Sequence, residues 1–125
     1  MKVRCVDQSV RIRLRKSDIV QLLETGLVQV QLKGPGTFAL TYLLRTDEGD
    51  GLRCLQHGTQ LSFILPAQEI TQWANSNEVS IERILPTTDS DFHFLLEKDF
   101  PCKDRPDEDK SDFFTELSSE SPTNC

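Results

Sequence analysis

Long apolar runs are missing from this 125-residue chain. The longest, Leu61 to Ala67, falls far short of the roughly 20 residues a membrane-spanning helix needs, so no membrane partner is expected. No signal-peptide core is visible either. Met1-Lys2-Val3-Arg4-Cys5 runs straight into alternating charged and apolar residues, and the expected location is cytoplasmic. Cysteine is sparse: Cys5, Cys54, Cys102 and Cys125 include no C-x-x-C pair, and a reducing compartment would keep all four as thiols. Cys5 and Cys54 read as small hydrophobes on strands. Basic charge is in deficit, with 14 Lys and Arg against 20 Asp and Glu and a net charge of -6. That argues against general nucleic-acid binding, which needs a basic face to displace counterions.

The residue patterns of familiar chemistry are also missing. Gly34-Pro35-Gly36 is a glycine cluster between elements, but its proline removes a donor that a phosphate-cradling loop would use. There is no G-x-S-x-G elbow and no H-E-x-x-H helix. Only His57 and His93 could serve as an imidazole base, and His57-Gly58 is explained by a hairpin turn.

An ordinary apolar content of 37% with 27% charged residues is enough for one core. Its organisation shows in an internal repeat. An offset of 51 positions lays Val10-Arg11-Ile12-Arg13-Leu14 over Leu61-Ser62-Phe63-Ile64-Leu65, Asp18-Ile19 over Glu69-Ile70, and Val28 over Val79. A slip of two in the preceding turn brings Val3-Arg4-Cys5-Val6 over Leu52-Arg53-Cys54-Leu55, and a slip of one later brings Tyr42-Leu43-Leu44 over Phe94-Leu95-Leu96. Each half, about 3–47 and 52–99, reads strand, strand, helix, strand, strand.

The period-2 alternation of Val3 to Val6 and Val10 to Arg15 predicts a hairpin. Ser17 is the expected cap of a helix carrying Ile19, Leu22 and Leu23, and Gly26 its left-handed terminator. Leu27 to Leu32 and Phe38 to Thr46 follow as strands. In the second half Pro66 suits a helix's first turn, Ile70, Trp73 and Ala74 form its buried face, and Val79 to Ile84 and Phe92 to Lys98 close the series. The expected fold is therefore α+β: a duplicated strand-strand-helix-strand-strand unit forming a mainly antiparallel sheet or open barrel, with two short helices. Residues 1–100 would form the single domain. Residues 101–125, with seven acidic and three basic side chains and apolar character confined to Phe113, Phe114 and Leu117, read as an acidic and largely irregular tail.

Arg11-Ile12-Arg13-Leu14, Lys16-Ser17, Leu22 and Thr25-Gly26 are joined near the other end by Leu96-Glu97-Lys98-Asp99-Phe100-x-Cys102, then Arg105, Glu108-Asp109, Asp112 and Phe113. Together these resemble a family of small uncharacterised bacterial proteins over nearly the whole chain. Phe114-Thr115 departs from the Pro-Asn expected there. The resemblance implies relatives without an assigned activity.

Two sets of residues are candidates for a site. On a strand, Arg11, Arg13 and Arg15 share one face, and three guanidinium groups there call for an anion, nearby carboxylates or the acidic tail opposite them. On the last strand His93, Glu97 and Asp99 share a face, and imidazole with carboxylates suits a divalent metal if another strand adds ligands. No cofactor is specified. Asp107-x-Asp109-x-Ser111 begins like a calcium loop but lacks its glycine and its bidentate Glu.

Two functional readings follow. The favoured one is a non-enzymatic binding or interaction protein whose partner is another protein or an anionic small ligand. The alternative is a metal-dependent triphosphate-handling enzyme with a tunnel-like barrel, in which Arg11, Arg13 and Arg15 face inward to clamp phosphate. The chain lacks the N-terminal E-x-E-x-K signature of such enzymes.

Overall fold

The computed structural model describes residues 1–100, so the expectations for the acidic tail lie outside the described residues. The chain runs β1 (Lys2–Val6), β2 (Ser9–Leu14), α1 (Lys16–Thr25), β3 (Leu27–Lys33), β4 (Ala39–Asp47), β5 (Arg53–His57), β6 (Gln60–Pro66), α2 (Ala67–Ala74), β7 (Ser80–Pro86) and β8 (Asp91–Lys98). The order strand, strand, helix, strand, strand thus occurs twice, as the sequence predicts.

The pairing of these strands is less predictable. They form two four-stranded mixed sheets, β1-β2-β8-β7 and β3-β4-β6-β5, rather than one sheet or an open barrel. Each sheet takes one antiparallel hairpin from each half, and the two hairpins join through a parallel central pair, β2 with β8 and β4 with β6. Antiparallel pairing therefore predominates. The helices explain the split. A helix stands between β2 and β3, and another between β6 and β7, so neither pair can close as a tight hairpin. Instead α1 carries the chain from the first sheet to the second, and α2 carries it back.

The two sheets share a register. Val10 pairs with Phe94 and Ile12 with Leu96, while Leu61 pairs with Tyr42 and Phe63 with Leu44. The β1–β2 and β5–β6 hairpins each turn through two residues, Asp7-Gln8 and Gly58-Thr59. The offset of 51 consequently holds through the turn, and pairing sets Val3 against Cys54, not Leu52: Val3 faces Ile12 as Cys54 faces Phe63.

Alternation decides what is buried. Val10, Ile12, Leu14, Ile81, Phe94 and Leu96 of the first sheet meet Val28, Leu44, Phe63 and Leu65 of the second in one apolar cluster, closed by Leu22 of α1 and by Ile70 and Trp73 of α2. The Phe63 and Phe94 rings span the two sheets with centroids 5.7 Å apart, a contact contributing about 0.5–1.5 kcal/mol beyond area burial. Lys98 Nζ donates to the Ser76 carbonyl at 2.8 Å and lies 5.3 Å from the Trp73 ring centroid, tying the end of β8 to α2.

Candidate anion-binding face

The alternation that buries Val10, Ile12 and Leu14 turns Arg11 and Arg13 to the outer face of the first sheet, where both are half-buried. The β1–β2 register then sets Arg4 beside Arg11 and Lys2 beside Arg13. Like charges directly opposite across a strand pair are destabilising, so this row needs a compensating charge.

The compensation comes from β8. Glu97 lies beside Arg13 in the parallel register, and its Oε1 accepts from Arg11 Nε at 3.0 Å and from Arg13 Nε at 2.8 Å. Its Oε2 accepts from Arg11 Nη2 at 3.4 Å. Asp99, just past β8, donates its backbone N–H to the Leu14 carbonyl at 2.8 Å and receives Lys2 Nζ at 3.2 Å. Arg4 makes no ion pair among the described residues. Two carboxylates thus answer four cations, and Lys2, Arg4, Arg11 and Arg13 line one cavity of about 160 Å³. At about 30 Å³ per water, that is room for about five waters or a phosphate-sized anion.

Glu97 also decides how the guanidinium groups are held. It occupies both Nε positions, so both planes are oriented from their inner edge. Among the described residues, neither terminal nitrogen of Arg13 and not Nη1 of Arg11 makes a hydrogen bond. Those nitrogens are the ones that bind a phosphate oxygen pair.

Arg15 does not belong to this row. β2 ends at Leu14, and Arg15 is the exposed N-cap of α1, with extended backbone at φ -85 and ψ 172. The helix starts one residue before Ser17, which is not its cap. Asp18 of the first turn reaches back, accepting the Arg15 backbone N–H at 2.9 Å and the N-terminal ammonium at 2.8 Å. Burial pushes the Asp18 carboxyl up, yet these hydrogen bonds outweigh it and hold it below the usual carboxylate range.

The metal-ligand set His93, Glu97 and Asp99 is not assembled either. His93 is exposed and lies between Ser9 and Ile84. Glu97 stands four residues further on, about 13 Å at a strand's rise, with half-buried Leu95 between them. The carboxylates of Glu97 and Asp99 are turned to Arg11, Arg13 and Lys2. Among the described residues no three His, Cys, Asp or Glu side chains group to hold a metal ion.

The tunnel arrangement needs arginines facing an interior space. Between these sheets the facing side chains include Ile12, Leu14, Leu44, Leu65, Phe94 and Leu96, all 0% exposed, so that arrangement is corrected to a packed apolar core with Arg11 and Arg13 outside it.

Lys2 and Arg4 were missed as site residues, although the signal for them is present. Lys2-Val3-Arg4-Cys5 alternates like β2, and a two-residue hairpin turn sets it directly against the arginines.

Among the described residues no helix is long and apolar enough to cross a membrane. No curated protein and no solved structure matches the chain. One family model does match, over residues 1–117, which takes in the whole described fold and 17 residues beyond it; the chain belongs to that family, the family of unknown function DUF7009.

Proposed function

We propose that this protein is a non-enzymatic binding protein that takes a phosphate-bearing anion on the outer face of its first sheet. The observation that carries the reading is the pair of guanidinium groups, Arg11 and Arg13, oriented by one shared carboxylate beside two further cations. Glu97 positions, the terminal nitrogens of Arg11 and Arg13 grip phosphate oxygens, and Lys2 and Arg4 add charge. The net charge of -6 makes this a local attraction rather than a general polyanion surface.

The test is calorimetric titration with tripolyphosphate, with EDTA present, at two salt concentrations. Binding that weakens with salt and falls about tenfold or more in Arg13→Ala is expected, the loss of one charge-assisted contact. Millimolar tripolyphosphate that releases no heat with the wild-type chain would exclude the reading.

The repeated element order and the common register of the two sheets support a second point. The halves 3–47 and 52–99 are a duplicated unit, assembled with exchanged hairpins. Only the first copy carries the two central arginines: the positions matching Arg11 and Arg13 are Ser62 and Ile64, and of the four cations Lys2 alone has a cationic counterpart, Arg53. The anion face is thus an addition to one copy and not a requirement of the fold.

A further inference from the structure

A larger groove lies away from the basic row, between α1 and the chain leaving β8. It measures about 780 Å³, and its apolar lining includes Ile19, Val20 and Leu23 of α1 together with Phe100. Val20, Leu23 and Phe100 are 51%, 43% and 56% exposed. The i, i+1, i+4 spacing of the helix residues makes them one continuous stripe. Arg15, Lys16 and Lys98 also line the groove, and Asp99 is the one acid among the described residues that line it.

Three observations bear on what covers this stripe. Phe100 lines the groove and is the last residue described, and 25 further residues follow it in the sequence. The remaining sequence holds Phe113, Phe114 and Leu117, again at i, i+1, i+4, set between Asp112 and Glu116. In sequence that is apolar spacing with acids beside it, complementary to an apolar stripe with Arg15, Lys16 and Lys98 beside it. The family match, finally, extends to residue 117, the last of these apolar positions.

We propose that residues 113–117 of the same chain seat in this groove, Phe113, Phe114 and Leu117 against Ile19, Val20 and Leu23, with Asp112 and Glu116 towards the basic rim. Residues 101–112 are the tether. Twelve residues reach about 40 Å when extended, ample to return to a groove that begins beside Phe100. A short tether also sets a millimolar effective concentration, so a weak contact is enough to keep the groove filled. Covering this surface in cis explains how a chain can carry so much exposed apolar area on one helix. The proposal is independent of the anion reading.

The experiment is amide hydrogen exchange on the full chain, compared with Phe113→Ala/Phe114→Ala, with Leu23→Asp, and with Val20→Asp as a second groove variant. Val20 and Leu23 lie outside the buried core, and Trp73 emission checks that each variant is folded. Expected is slowing of exchange at residues 113–117 by about tenfold or more in the wild type, unchanged on dilution, lost in these three variants and kept in Arg11→Ala, the control for the basic face. Unprotected exchange there in the wild type overturns the proposal. Protection that disappears on dilution overturns it in favour of a second copy as occupant. Protection that survives Leu23→Asp and Val20→Asp but is lost in Arg11→Ala overturns it in favour of the tail lying on the basic face.

Discussion

At the scale of single residues, Glu97 carries the most consequence. Among the described residues it is the one carboxylate bonded to both Arg11 and Arg13, and its side chain is only 14% exposed. Glu97→Gln keeps the shape and removes the charge, leaving four cations on two adjacent strands. The loss is expected to be about 1–3 kcal/mol, seen as a melting temperature several degrees lower by Trp73 fluorescence and partly restored by tripolyphosphate. An unchanged melting temperature would show that the pair is energetically idle. Asp47 offers a cleaner electrostatic check. The Arg53 guanidinium donates to both its carboxylate oxygens, at 2.8 and 2.6 Å, the Gly49 N–H adds a third bond, and together they bring the Asp47 carboxyl down to about 2. Because the folded value is depressed, this pair supports the fold above the usual carboxylate range and loses its contribution as pH falls towards 2. Carbon-detected NMR titration should find Asp47 near that value and find it raised towards an ordinary aspartate in Arg53→Ala. The arginine row was legible in the sequence because alternation is local. Its partner was not, since Arg11 and Glu97 are 86 positions apart and nothing within either strand names the other.

Among the elements, α1 shows which signals survive folding. Its end was readable: Gly26 sits at φ 79, its N–H donates to the Leu22 carbonyl at 2.8 Å, and its own carbonyl accepts from Thr46 N–H at 3.1 Å. Gly26→Ala must hold a side chain in the left-handed region, with a Cβ 3.4 Å from Thr46 Oγ1. A cost of about 1–2 kcal/mol is expected in chemical denaturation, and a neutral result would mean the cap can relax. Its start was misread because Ser17 is a good cap by type, whereas the carboxylate of Asp18, held from two sides, fixes the helix at Lys16. That choice ends β2 at Leu14 and moves Arg15 from the cationic row to the apolar groove. One boundary shift thus reassigns a candidate site residue.

At the scale of the whole molecule, the element order was legible while the assignment of hairpins to sheets was not. The turns specify which neighbours pair within a hairpin, but β2 meets β8 only because α1 and α2 lead the chain across from one sheet to the other. Neither half can therefore satisfy its own central strand. Residues 1–50 produced alone would leave β2 and β4 without their parallel partners, and residues 51–125 would leave β6 and β8 in the same state. Each fragment is expected to be largely unfolded by circular dichroism, and mixing the two should restore the spectrum of the intact chain. A fragment that folds by itself would contradict the exchanged arrangement.

The same pairing has a consequence during synthesis. The first hairpin leaves the ribosome bearing Lys2, Arg4, Arg11 and Arg13, whereas Glu97 and Asp99 belong to the far side of the message. At about 5–20 residues per second, the 86 positions from Arg11 to Glu97 take roughly 4–17 s to translate. Until then the nascent chain displays its cations without the two acids that later answer them, beside a particle made of RNA. The chain is acidic as a whole, yet its β1–β2 hairpin is basic when it is made and is answered only once β8 follows.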